Sequence, residues 1–76
     1  MKKIDLSSMK SRWPSSIVAR EQIGYFTGGV ITPAYIAGLD TNEKGPPRIK
    51  IGKKVAYPVD SLISWLEDRC QVEDEV

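Results

Sequence analysis

Two adjacent glycines, Gly28 and Gly29, divide what would otherwise be one helical stretch over residues 20–39. Glycine readily takes the left-handed backbone conformation that ends a helix, so we expect the first helix to stop there. Thr32-Pro33 then predicts a new helix, because a hydroxyl side chain caps a helix and proline is favoured at its first position. A helix, a glycine turn and a capped helix within about twenty residues predict a helix-turn-helix unit.

The remaining apolar residues predict a hairpin and a closing helix. Residues 48–51 alternate polar and apolar side chains, residues 52–54 predict a turn, and residues 55–57 are expected to return as the partner strand. From Pro58 to Leu66 the apolar residues have helical spacing. The sequence thus predicts a mainly α fold of three helices and a small two-stranded β-hairpin. Val30, Ile31 and Tyr57 are also expected to face inward. The central core residues are expected to be Ile23, Phe26, Ile36, Leu39, Ile49, Val55, Leu62 and Trp65.

A chain of 76 residues supports one small domain, which we place at residues 13–70. Residues 13–18 are expected to lead into the first helix, with Trp13 packed on the core. Residues 1–12 predict a flexible N-terminal arm, in which Ile4 and Leu6 are candidates to dock on the domain. Residues 71–76 form an acidic tail.

The composition argues against several classes of function. The chain has no histidine and one cysteine, Cys70, so it offers neither a Cys/His metal site nor an internal disulfide. It has no glycine-rich loop of Walker or Rossmann spacing, and its acids are not paired as a hydrolase requires. We therefore expect no enzyme activity, no metal and no cofactor. No segment approaches the roughly 20 apolar residues of a membrane helix, so a cytoplasmic location without membrane contact is expected.

The net charge of +1 conceals an uneven distribution. Residues 1–60 contain ten Lys/Arg and five Asp/Glu, whereas residues 61–76 contain one Lys/Arg and five Asp/Glu. A basic body suits a polyanion such as DNA, although a mixed, solvated surface has the same composition.

The order of these elements resembles the small MerR-like winged helix-turn-helix domains of excisionases and AlpA-type phage or prophage regulators. The resemblance covers residues 16–68. It rests on AREQIGYFTGG and ITPAYIAGLD for the two helices, and on RIKIGKKVAYPVDSLISWLE for the wing and final helix. The last segment is the most specific, since it matches a basic IG-[RK]-[RK] wing followed by an aromatic residue and a D-x-L-x-x-W-L ending.

The resemblance implies a DNA-binding surface made of the second helix and the hairpin. Family members usually have long polar side chains on that helix, whereas its outward positions here are small or apolar. Phosphate and wing contacts are therefore expected to carry more of the affinity. Each of these assignments has an alternative. The basic hairpin residues would also suit an ordinary charged surface, and Tyr35 could pack against the neighbouring loop. Arg20 could be a solvated side chain. The candidate DNA-binding residues are Arg20, Thr32, Pro33, Ala34, Tyr35, Gly38, Arg48, Lys50, Lys53 and Lys54.

The resemblance also implies a function. It predicts a sequence-specific protein for double-stranded DNA, either an architectural recombination directionality factor or a prophage transcriptional regulator. Such a protein is a monomer in solution that binds adjacent repeats cooperatively and bends DNA. The alternative is a winged-helix module that binds an integrase, another recombinase or RNA polymerase without reading DNA directly.

Overall fold

The computed structural model describes residues 5–70, which form four α-helices and three antiparallel strands. The helices are α1 (Ser8–Arg12), α2 (Ile23–Phe26), α3 (Pro33–Thr41) and α4 (Val59–Arg69). The strands are β1 (Ile17–Ala19), β2 (Ile49–Ile51) and β3 (Lys54–Pro58), and a 3₁₀ turn spans Arg20–Gln22. Within this described part, no helix has both the length and the apolar character needed to cross a membrane.

The predicted hairpin is confirmed as strands β2 and β3. Ile51 pairs with Lys54, so the turn consists of Gly52 and Lys53 alone, with Gly52 at φ 62°. Such a two-residue turn favours glycine because it requires a positive φ. Arg48 lies just before β2 rather than within it.

The sequence does not predict strand β1, because residues 13–18 are expected to lead into the first helix. Ile17 pairs with Pro58 and Ala19 with Ala56, which gives the sheet the order β1-β3-β2. β-Branched side chains such as Ile17 and Val18 suit a pleated surface. A third strand also stabilises a hairpin that two strands alone would leave marginal.

The two helices around the glycine turn are present, but the first differs from the prediction. Residues 20–22 form the 3₁₀ turn and only Ile23–Phe26 is α-helical. Gly28 and Gly29 take positive φ values of 68° and 88°, as expected for residues that end a helix. Thr32 caps α3 as predicted, since its Oγ1 accepts a hydrogen bond from the Tyr35 N–H at 3.1 Å.

The segment predicted as a flexible arm contains an additional helix in its second half, so the described residues have four helices where the sequence predicts three. Residues 8–12 form α1, and Leu6 and Met9 pack against the core. The Leu6 N–H donates to Glu67 Oε2 at 2.7 Å, and Lys10 Nζ lies 3.0 Å from Asp60 Oδ1, so this segment is fastened to α4. Residues 1–4 and the acidic tail, residues 71–76, lie outside the described residues.

The core lies between the sheet and α2, α3 and α4. Its buried apolar residues are Val18, Ile23, Phe26, Ile31, Ile36, Ala56, Tyr57, Val59, Leu62 and Ile63. Of the expected members, Leu39, Val55 and Trp65 are only partly buried. Trp13 packs as predicted, its ring meeting Phe26 edge-on with centroids 5.3 Å apart.

Two core predictions were wrong. Ile49 is 39% exposed, because it lies on β2, an edge strand of the sheet. It pairs with Ala56, so its side chain is on the face of the sheet opposite to that of Tyr57. Val30 is 80% exposed, since the turn after the glycines directs only Ile31 inward.

Candidate nucleic-acid interface

The outward face of α3 is built from small and apolar residues. Ile36 and Asp40 are buried on its inner side, which leaves five candidate residues exposed. They are Thr32, Pro33, Ala34, Tyr35 and Gly38. Since none of them is charged, this face has few groups for direct hydrogen bonding to bases. Its main electrostatic feature is the helix N-terminus, where backbone N–H groups and the helix dipole favour an anion.

The hairpin turn lies beside the start of α3. Lys53, Lys54 and Val55 line a shallow hollow whose other wall is Pro33, Arg20 and Glu21. Two lysines and a helix N-terminus thus face a common space. Lys54 Nζ lies 3.0 Å from Glu21 Oε2, in a pair whose side chains are 71% and 59% exposed. An ion pair this exposed holds Lys54 only weakly.

Arg20 belongs to an internal network, an arrangement that neither sequence-based alternative included. Its Nη2 donates to Asp40 Oδ2 at 2.7 Å, and its Nε donates to the Tyr57 hydroxyl at 3.1 Å. The Tyr57 hydroxyl in turn donates to Asp40 Oδ2 at 2.6 Å. Asp40 is 4% exposed, so the network ties the 3₁₀ turn, α3 and β3 together. These contacts assign Arg20 a structural role at the back of the hollow.

This network shifts two pKa values. Hydrogen bonds with Tyr57 and then Asp40 raise the pKa of the Arg20 guanidinium above its ordinary value. Burial, followed by the hydrogen bond to the Asp40 carboxylate, raises the pKa of the Tyr57 phenol. The raised pKa values favour the protonated guanidinium and the protonated phenol, which are the forms that donate the hydrogen bonds of the network.

Arg48 and Lys50 lie apart from the α3 hollow. They line a second shallow hollow with Ile49 and Val55, and only Val55 is common to both. Arg48 Nη1 lies 3.7 Å from Asp40 Oδ1, and that oxygen is buried without a hydrogen-bond donor among the described residues. The basic side chains in and beside the hairpin therefore form two groups: Lys53 and Lys54 adjoin the start of α3, whereas Arg48 lies near Asp40 at its end.

Tyr35 connects α3 to the end of α4. Arg69 Nη2 donates to the Tyr35 hydroxyl at 3.3 Å, and the Arg69 guanidinium lies 4.9 Å from the centroid of the Trp65 ring. Sequence reasoning missed both Arg69 and Glu21 as neighbours of the candidate surface. No local pattern indicated either of them, because each is brought there by contacts between residues distant in sequence.

Within residues 5–70, no group of three or more His, Cys, Asp or Glu side chains could hold a metal ion. The chain matches no protein-family model, no curated protein and no solved structure.

Proposed function

We propose that this chain binds double-stranded DNA as a winged helix-turn-helix protein. In this proposal α3 enters the major groove and the Gly52-Lys53 turn is the tip of the wing. The observation that carries it is the position of Lys53 and Lys54 beside Pro33, at the first position of α3. Positive side chains next to an exposed helix N-terminus attract phosphate, so one strand of a duplex can engage both elements together.

The side chains of α3 suggest which groups supply affinity for DNA and which supply sequence preference. Small side chains at Ala34 and Gly38 allow the helix backbone to lie close to the groove floor. Tyr35, half exposed and held by Arg69, is the side chain best placed for base contact. Affinity then comes mainly from phosphates, and sequence preference comes from Tyr35 and DNA shape.

The finer assignment is the excisionase type, a monomer that bends DNA at adjacent repeats for a recombinase or for RNA polymerase. The resemblance of residues 16–68 to that family supports it. A small domain with few base-reading side chains gains specificity from cooperative binding of several copies.

A protein-binding module is the rival function. Ile51 is 58% exposed and Ile49 39% exposed on one face of the hairpin, where they would suit an apolar partner. Salt separates the two functions, because DNA binding weakens steeply with rising salt and an apolar contact does not.

The test replaces Lys53 and Lys54 together with alanine and measures affinity at several salt concentrations. The two targets are a duplex enriched by the protein from a random pool and its scrambled counterpart. Binding to both should weaken, and the salt slope should fall by roughly two phosphate contacts. Tyr35→Ala should instead reduce only the preference for the enriched duplex, since an uncharged side chain releases no counterions.

The matched control replaces Lys10 and Lys44 with alanine, which removes the same charge from exposed positions outside the hollow. It should bind more tightly than the Lys53/Lys54 variant. If the Lys53/Lys54 variant binds every duplex as the parent does, the turn is not on DNA and the protein-binding module becomes the better hypothesis.

A further inference from the structure

Tyr25 is the most exposed large hydrophobic side chain of the described residues, at 86%. It belongs to the single turn of α2, where Ile23 and Phe26 occupy the buried face. A phenol presented in this way adds nothing to the core, and no intramolecular contact explains it within residues 5–70. An exposed aromatic side chain with a polar tip is typical of a contact residue.

The backbone that carries Tyr25 is firmly held. Thr27 Oγ1 donates to the Ile23 carbonyl at 2.8 Å and accepts from the Ile31 N–H at 3.0 Å. The Gly29 N–H donates to the Gly24 carbonyl at 2.7 Å. Because the turn is already ordered, a ligand that contacts Tyr25 loses little entropy in fixing its backbone.

Beside Tyr25 lies a shallow hollow with few side chains. It is lined by Glu21, Gly24, Tyr25, Gly28, Gly29 and Pro33. A Cβ built on Gly28 or Gly29 would meet nothing within 4 Å, so a ligand can approach the backbone closely here. Glu21 and Pro33 also line the hollow of the hairpin lysines. The Tyr25 hollow and the lysine hollow therefore share Glu21 and Pro33, and both lie at the start of α3.

We propose that Tyr25 contacts the sugar–phosphate backbone of DNA, its ring against deoxyribose and its hydroxyl donating to a phosphate oxygen. This inference rests on the proposed function and extends it. The contact widens the interface past the start of α3, away from the hairpin turn, so that one duplex meets the lysines and Tyr25 at separate phosphates. The lysines and the helix N-terminus next to the hollow attract phosphate, and Lys54 partly offsets the charge of Glu21, the acidic residue in the lining of the hollow.

The first experiment compares Tyr25→Ala, Tyr25→Phe and the parent on the enriched duplex across a salt series. A hydrogen bond to a charged group is worth enough to predict an affinity loss of about tenfold for Tyr25→Phe. The alanine variant should lose more, because it also lacks the ring. The salt slope should not change, since tyrosine is neutral. Val30→Ala is the matched control, an exposed side chain of the same turn that does not line the hollow.

The second experiment maps the contact with cysteine variants in a Cys70→Ser background, which removes the exposed native thiol. Tyr25→Cys or Lys53→Cys is labelled with a photoreactive group and cross-linked to the duplex. The two positions should mark different phosphates, separated by the nucleotides under α3.

These outcomes separate the inference from the function on which it rests. If the Lys53/Lys54 variant loses affinity but Tyr25→Ala binds as the parent does, Tyr25 is not a contact and DNA binding stands. An equal loss in Val30→Ala would also overturn the contact, because it would indicate a general effect on the turn. If the parent itself binds no duplex, both proposals fail together.

Discussion

At the residue scale, Asp40 is a buried charged residue whose burial no sequence pattern indicated. It follows Leu39 near the end of α3. Its carboxylate is buried and accepts two hydrogen bonds at one oxygen, from Arg20 and Tyr57. These partners are 20 and 17 residues away, so helix or strand spacing cannot predict the contact.

Replacing Asp40 with asparagine should destabilise the protein by about 2–4 kcal/mol, because the buried guanidinium contact and the phenol lose a charged acceptor. Many domains of this size have only about 5 kcal/mol of stability, so the urea midpoint should fall clearly. Asp60→Asn is the control, since Asp60 is exposed and, within residues 5–70, pairs only with Lys10. A midpoint equal to that of the control would show that the carboxylate charge does not stabilise the fold.

The raised pKa of the Tyr57 phenol leads us to expect that the protein loses stability at alkaline pH. Its pKa is raised in the folded protein, first by burial, whereas in the unfolded chain the phenol ionises near its ordinary value of about 10. The stabilising effect of the raised pKa is complete below that value, and it is lost as the pH rises towards the folded pKa. The free energy of unfolding should therefore decline above about pH 10.

The measurement is the urea midpoint of the parent and of Tyr57→Phe between about pH 8 and 11. The phenylalanine variant should be less stable throughout, and its midpoint should fall less with pH because the phenol is gone. Parallel curves for the two proteins would contradict the linkage.

At the scale of elements, local chemistry predicted the parts that depend on neighbouring residues. The cap at Thr32, the helix end at Gly28-Gly29, the hairpin turn at Gly52 and the stripe of α4 each follow from short spacings, and each is present. Strand β1 and helix α1 were missed because neither is defined locally. Three residues become a strand only when β3 pairs with them, and five become a helix that persists only when α4 packs against them.

The hairpin illustrates the limit of period-two patterns. Alternation over residues 48–51 indicated a strand, which is present, but the inference that Ile49 is buried was wrong. The pattern gives the period of a strand and not which of its faces is covered. Here the covered face contains Val18 and Tyr57, and Ile49 and Ile51 lie on the other.

At the scale of the whole molecule, the sequence indicated which residues could form the candidate site but not how they lie relative to one another. Thr32, Pro33 and the hairpin lysines were selected from the sequence, and the structure brings Pro33, Lys53 and Lys54 to one hollow. Arg48 and Lys50 line another, and Arg20 contributes to an internal network. The acidic residue of the same surface, Glu21, was not anticipated, since its position depends on how the hairpin packs beside α3.

That position leads to a prediction about the charge of the proposed interface. Glu21 lines the same hollow as Pro33 and Lys54, where its carboxylate both repels phosphate and pairs with Lys54 at 3.0 Å. Glu21→Gln removes one negative charge and releases the lysine. Affinity for DNA should therefore increase several-fold, and the salt slope should steepen by about one phosphate contact. The exposed pair contributes little to folding, so the melting temperature should change only slightly.

The control for this variant is Asp60→Asn, because it changes the net charge equally and also breaks an exposed 3.0 Å pair, with Lys10. Asp60 lies on α4, outside the hollow of the hairpin lysines. If attraction to DNA depended only on net charge, both variants would tighten binding to the same extent. A clear gain for Glu21→Gln alone would support phosphate contact at the hollow. Equal gains would contradict it, because the surface beside α3 would then be no different from the rest of the molecule.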